Sequence, residues 1–409
     1  MSVKELIRKT LPMQGFRIEN IATSLSKIEI KIETDKRYKR KCSKCNTIGS
    51  YRDRRPVREF KHVPLWGIDV YLYYSPVRIN CPECKSVVSE HIPWAAGKKR
   101  MTEAFTCFIA SWAKVLTWLE VSRTFKCSWG LVSSAVKHVV TYGLLNKVQK
   151  PSTLIGIDEI SRRKGHVYLT NVYDLDSKTL IWSGEKRTKE TLNNFFDNLG
   201  TLKISKLKGI CCDMWQPYID IVRKRASNAI LVFDKFHIVR YLTKAVDEVR
   251  RQEIREKGKD HKELMKNTRY IWLKNPWNLT ESQKNRLGNL EKLNLKINRA
   301  YLLKEAFRKL WSYKKKGWAE KYLKKWFWWA THSRLEPLRD FAWLLRRHEE
   351  NILSIFDMPI HNGTVEGLNN KAKVISHKAY GFRSAKTYML NLYHCMGDLP
   401  MPEQKHSFI

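Results

Sequence analysis

LIGIDEIS at residues 154–161, GICCDMW at 209–215 and HNGTVEGLNNKAK at 361–373 decide how this chain reads. The first two are short β-branched and apolar runs that deliver the carboxylates Asp158 and Asp213. Runs of that kind are the signature of buried strands. The third stretch opens a helical segment and carries Glu366. Around the first two, residues 153–234 alternate in type. Strands are predicted at 153–160, 166–174 and 179–184, followed by a helix near 188–200. Strands near 207–212 and 229–233 flank a second helix at 216–226.

Three strands in a meander, then helix, strand, helix, strand, is an α/β order and matches the ribonuclease-H topology. In such a sheet the first strand is central and the fourth lies beside it. Asp158 and Asp213 then approach each other, and Glu366 arrives from a late helix packed across the sheet. Carboxylates gathered in this way can hold two Mg²⁺ (or Mn²⁺) ions about 3.5–4 Å apart, which stabilise the attacking and leaving oxygens of an in-line phosphodiester displacement. Other acids fit less well. Glu159 points to the opposite face of its strand from Asp158. Asp174 and Asp176 flank a predicted turn, and Asp220 sits mid-helix. Asp234 ends the fifth predicted strand and His237 begins the next helix, so Asp234 suits an N-cap role as well as a place near the site.

The charge balance points the same way. Seventy-seven Lys and Arg against 40 Asp and Glu give a formal net charge of +37, which suits a polyanionic substrate. Fifteen Trp and 17 Tyr imply large packed cores, unlike a small ribosomal-type protein. At 409 residues, two to four domains are expected. No stretch approaches the ~20 apolar residues of a membrane span, and MSVKELIRKTLPMQG lacks the apolar core of a signal peptide. Nine cysteines without a disulfide pattern fit a reducing cytoplasm, here in association with the nucleoid.

Residues 1–100 read as short strands around Cys42-Ser-Lys-Cys45 and Cys81-Pro-Glu-Cys84. Two CxxC knuckles bracketing a β region predict a closed tetrahedral Zn²⁺ site, structural because four thiolates leave no open position. Arg52, Arg54 and Arg55 beside it are candidate DNA contacts. Residues 101–150 are helical, with a break at Lys126–Cys127 and Ser128 as the N-cap of a second helix. Leu131, Val132, Ala135, Val136 and Val139 form its apolar stripe and leave Ser133, Ser134, Lys137 and His138 outward, the layout of a helix-turn-helix reading double-stranded DNA. Residues 250–354 are helical, basic and Trp-rich, and the Lys314, Lys315, Lys316 run is a candidate phosphate contact. In the late helix Glu366, Asn370, Lys373 and His377 are spaced to share one face. Residues 397–409 read as a loose tail.

The paired knuckles, the helix pair, GIDEIS, GICCDMWQPYI, LVFDKFHIVR and HNGTVEGLNNKAKVISHKAYGFRS together resemble bacterial insertion-sequence transposases of the DDE class, in the ISL-three family. The resemblance runs over essentially the whole length. It implies a ribonuclease-H-like core (151–249 and 355–396) interrupted by the helical insertion 250–354, and it marks Asp158, Asp213 and Glu366 as the metal-binding triad. It also marks the DKFH stretch that holds Asp234 and His237, and the aromatic-Gly-aromatic-Arg element ending at Arg383. His377 stands where some relatives carry Arg.

The expected function is DNA transposition: binding of terminal inverted repeats, metal-dependent hydrolysis, then transfer of the freed 3′-hydroxyl to target DNA. Synapsis of two ends implies a homodimer. A DNA-binding regulator without activity, or a ribonuclease-H-like nuclease, is the alternative. No nucleophile cluster supports a covalent protein–DNA intermediate.

Overall fold

The structure, a computed structural model, describes residues 7, 11, 13–95, 97, 99–148, 150–163, 167–358, 360 and 362–403. Residues 404–409 of the expected tail lie outside these. The chain divides into two compact units, residues 1–148 with 375–409, and residues 149–374.

In the first unit two sheets form. β1 (Phe16–Thr23), β2 (Lys27–Thr34), β5 (Ile68–Tyr74) and β4 (Arg58–Leu65) make one, in the order β1-β2-β5-β4. Alternate residues of these strands, such as Ile28, Ile30 and Ile32, bury against Phe16, Phe60, Tyr74 and Trp94. β3 (Ser50–Arg54), β6 (Val77–Cys81) and β7 (Ser86–Ser89) make the second, which carries the CxxC pairs on its turns. Three helices follow: α1 (Glu103–Val115), α2 (Trp118–Thr124) and α3 (Trp129–Asn146). Thr117 caps α2 in a capping box with Glu120, and Ser128 caps α3. The turn between them is pinned from the sheet. The buried Lys61 donates to Phe125 O (2.8 Å) and Lys126 O (3.2 Å), satisfying carbonyls that the end of α2 leaves open.

The second unit opens with β8 (Leu154–Arg163), β9 (Val167–Asp174) and β10 (Thr179–Glu185), an antiparallel meander. Helix α4 (Lys189–Leu199), a short α5 (Thr201–Ile204), β11 (Gly209–Cys212), α6 (Gln216–Arg225) and β12 (Ile230–Phe233) follow. The strand order is β10-β9-β8-β11-β12, with β11 parallel to both β8 and β12. Gly209 to Cys212 are all buried, as expected of a parallel strand covered on both faces.

Then come α7 (Lys235–Leu264), α8 (Arg269–Leu273), α9 (Glu281–Glu291), α10 (Lys296–Arg308), α11 (Lys316–Thr331), α12 (Glu336–Arg347) and α13 (Glu349–Leu353). Their apolar sides share one continuous core with the sheet, running from Ile157 and Phe233 to Trp272, Trp326 and Phe341. Among the Trp of this region, Trp272 and Trp326 are fully buried, whereas Trp277, Trp318, Trp328 and Trp343 are more than half exposed. Helix α14 (Asn362–Lys378) spans the division between the units, and α15 (Ala385–Met396) groups with residues 1–148 rather than with the sheet that precedes it in sequence. Among the described residues no helix is long and apolar enough to cross a membrane.

Helix α15 buries His394, whose Nε2–H donates to Ala110 O at 2.8 Å. Burial lowers its pKa to about 4. The folded form therefore holds the ring neutral while the unfolded chain protonates it near pH 6.5, so this contribution to stability is complete above that pH and is lost as pH falls towards 4. Denaturant unfolding at pH 7 and pH 5 should show a stability loss that shrinks in His394→Gln. An equal loss in the variant would refute the assignment.

Candidate active site

Strand register brings three aspartates level. Gly209 lies opposite Leu154 and Cys211 opposite Gly156, while Gly209 lies opposite Ile230 and Cys212 opposite Phe233. Carrying these offsets just past the paired residues places Asp158, Asp213 and Asp234 side by side at the carboxyl ends of adjacent parallel strands, where open α/β sheets hold their ligands. Asp158 and Asp213 are two of the acids expected there. Asp234 is a full member as well, and its Oδ1 also accepts from Phe236 N at 2.7 Å, so it caps α7 at the same time.

That cap orients the first turn of α7 and drops His237 among the three carboxylates. Its Nδ1 is 3.3 Å from Asp213 Oδ1, and its Nε2 is 4.0 Å from Asp158 Oδ1 and 3.9 Å from Asp234 Oδ2. Ligand atoms of Asp158, Asp234 and His237 lie within 4.8 Å of one another, close enough to share one ion. Asp213 Oδ1 is buried without a hydrogen bond, although His237 Nδ1 lies 3.3 Å away. Burial raises the pKa of Asp158, and raises that of Asp234 to about 6. Buried like charges with an unbonded oxygen are the environment a hard divalent cation relieves. The donor set therefore fits such an ion.

Behind the aspartates runs a buried polar chain. Arg187 reaches Glu159 Oε1 with Nε (3.1 Å) and Asp213 Oδ2 with a terminal nitrogen (3.1 Å), and its guanidinium lies 4.5 Å over Trp215. Glu159, on the face of β8 opposite Asp158, is pushed up to about 7 by burial. Arg187 thus fixes one oxygen of Asp213 and leaves the other facing the nest. Nothing in the sequence signals Arg187, which lies in a polar connection before α4.

On the other side α14 crosses the sheet. A Cβ on Gly156 would fall 2.6 Å from Val365 Cγ2, so the absence of a side chain lets the helix approach. Asn369 donates through Nδ2 to Asp158 Oδ2 and accepts through Oδ1 from Tyr173 OH at 2.7 Å. Glu366 is exposed one turn before Asn369 and is outside the acid cluster among the described residues. Asn370, Lys373 and His377 are exposed too, and the charge of Lys373 is felt at Asp158.

The four cysteines do converge. Cys45 Sγ lies 3.4 Å from both Cys81 Sγ and Cys84 Sγ, and Cys42 Sγ is 3.8 Å from Cys84 Sγ. A tetrahedral Zn²⁺ with sulfurs at 2.3 Å needs them about 3.8 Å apart. Lys44 N and Cys84 N donate to Cys42 and Cys81 Sγ, each at 3.3 Å, so the turns already point their amides at the sulfurs. Arg52, Arg54 and Arg55 are exposed nearby in sequence. On α3, Ser134 and Lys137 are exposed and Ser133 is half-buried, but His138 is bound to Glu103 on α1 instead of facing outward. Lys314 and Lys315 are exposed, Lys316 pairs with Asp357, and Arg383 is exposed.

Removing the cation from the buried chain should destabilise the fold. Arg187→Met leaves two buried carboxylates facing each other, and since the guanidinium is 29% exposed the loss should be roughly 2–3 kcal/mol, below that of a fully buried pair. Urea unfolding measures it. A change under about 0.5 kcal/mol, the range of ordinary surface substitutions, would show that the chain contributes nothing.

The chain is 29% identical over 395 residues to the transposase for insertion sequence element IS1557 of Mycobacterium tuberculosis, covering 90% of this chain and 88% of that one. It is 26% identical over 354 residues to the transposase for insertion sequence element IS1001 of Bordetella parapertussis, covering 86% and 87%. Residues 155–392, well over half of the chain, match the family model for ISL3-type DDE enzymes, described as transposase. The chain belongs to the ISL3 (ISL-three) family of DDE transposases, enzymes that process DNA with divalent metal ions.

Proposed function

We propose that the protein binds the terminal inverted repeats of its insertion sequence, cuts the DNA by metal-dependent hydrolysis and joins the freed 3′-hydroxyl to target DNA. The observation that carries this reading is the level row of Asp158, Asp213 and Asp234 around His237, with Asp213 Oδ1 buried and unbonded. The strand order and the parallel placement of β11 support a ribonuclease-H-like core.

In this reading Asp158, Asp213 and Asp234 would hold the ion, with His237 beside them. Glu366, exposed on α14 and outside the cluster, would have to turn in towards it to complete the set, one turn from the Asn369 that anchors the helix to Asp158. Mg²⁺ (or Mn²⁺) held there would activate water and steady the charge on the leaving oxygen. Arg187 holds Asp213 from behind, so its free oxygen keeps a fixed direction. Lys373 lies where it can meet a phosphate entering the nest, and Gly363 and Gly367 have open space where a side chain would be. The Cys42, Cys45, Cys81 and Cys84 site holds structural Zn²⁺ in a zinc-ribbon-type module, and α2–α3 read DNA as a helix-turn-helix with Ser133, Ser134 and Lys137. Synapsis of two ends makes the working form a homodimer, in the cytoplasm on the nucleoid.

Two measurements check this. On a labelled transposon-end duplex with Mg²⁺, Asp158→Asn and Asp213→Asn should each abolish nicking, and undiminished cutting by either would overturn the catalytic assignment. Binding without cutting in the native chain would favour the regulator reading, and cutting without strand transfer the nuclease reading. Elemental analysis should find one Zn per chain, lost in Cys42→Ser/Cys81→Ser; unchanged zinc in that variant would remove the ribbon site.

A further inference from the structure

The helix that carries His237 also walls a basic groove. Phe236, Arg240, Lys244, Asp247 and Arg251 recur at intervals of four and three along α7, so they share one face of that helix. With Arg269 and Leu273 of α8 this face walls a groove of about 500 Å³. The groove begins where the nest ends, since the Phe236 ring lies against that of His237 with centroids 5.8 Å apart. Phe236 is 52% exposed, which leaves an aromatic face open beside the acids.

The cations are arranged by one buried acid. Asp247 is 5% exposed and pairs with Arg250 (2.8 Å) and Arg251 (3.0 Å) of α7 and with Arg269 of α8 (3.3 Å). A single buried carboxylate thus ties two helices together and sets the direction of their guanidinium groups. Arg240 and Lys244 are exposed and pair with no acid among the described residues. The run from Phe236 to Arg251 is about 22 Å at 1.5 Å per residue. DNA advances about 3.4 Å per nucleotide along each strand, so the groove spans six or seven nucleotides.

We propose that this groove seats the DNA strand leading away from the scissile phosphate, with Arg240, Lys244, Arg251 and Arg269 on backbone phosphates along it and Phe236 against the sugar or base next to the cut. The proposal rests on the transposase reading and adds to it the path of the substrate. A cationic track whose Phe236 end is next to His237 of a metal-ready acid nest suits a phosphodiester chain whose next phosphate lies in that nest. An acidic protein segment would gain nothing from that proximity.

The test uses the full chain and a fluorescent 30-base-pair duplex of arbitrary sequence, without divalent metal, at 50–200 mM salt. Each phosphate contact contributes about 0.9 to the slope of log K against log salt, so Arg240→Ala/Lys244→Ala should flatten it by about 1.8. The same double change at the exposed Lys206 and Lys224, outside the groove, should leave it unaltered. Photoreactive benzoylphenylalanine at position 236 should cross-link to the duplex. An unchanged slope in the groove variant, or no cross-link, overturns the proposal and leaves an acidic protein as the occupant. Binding is read without cleavage, so the two readings fail separately. A chain that cuts DNA while the groove variant keeps its slope sinks the groove alone, whereas one that binds through the groove and never cuts sinks the catalytic assignment alone.

Discussion

Like charges held together in a buried place are the constraint on which the rest of this structure depends. Parallel pairing of β8, β11 and β12 leaves Asp158, Asp213 and Asp234 no choice of level, and β-strand stiffness gives them little freedom to part. Water screens them poorly there, which is why burial raises Asp158 and Asp234 instead of letting them ionise freely. The surrounding residues offset part of the repulsion. Arg187 neutralises one side of Asp213, Asn369 donates to Asp158, the α7 amide of Phe236 donates to Asp234, and His237 stands between all three. What remains uncompensated is one oxygen and a negative pocket, which is a place for a cation.

Much of this was legible before any coordinates. LIGID, GICCD and ILVFD share one form: four strand residues, mostly buried, then Asp. Strands that pair in parallel from equivalent starting residues put those acids in line, so the third run carried the same signal as the first two. The N-cap reading of Asp234 is met by its bond from Phe236 N, and the same carboxylate lies 3.9 Å from His237 Nε2. The apolar runs were readable because a strand buried on both faces has almost no alternative composition.

What the sequence withheld was long-range and polar. Arg187 sits in a loop-like stretch whose importance comes only from the fold bringing β8, β11 and α4 together. Asn369 looked like one more polar residue on α14, and the exposed face at Glu366, Asn370, Lys373 and His377 drew attention away from the buried one, where Val365 and Asn369 meet the sheet. His138 on α3 read as an outward residue by helical spacing, but Glu103 on α1 claims it. The grouping of α15 with residues 1–148 was likewise invisible, since its Tyr388, Leu392 and His394 could have packed on any apolar surface.

The most direct test of the account is the binding of Mn²⁺ to the full chain, followed by electron paramagnetic resonance in the absence of DNA. The nest should take up Mn²⁺, and Asp158→Asn/Asp234→Asn should release it while far-ultraviolet circular dichroism stays unchanged. Retention of the same Mn²⁺ signal by a folded double variant would mean that the in-line aspartates are not where the cation goes.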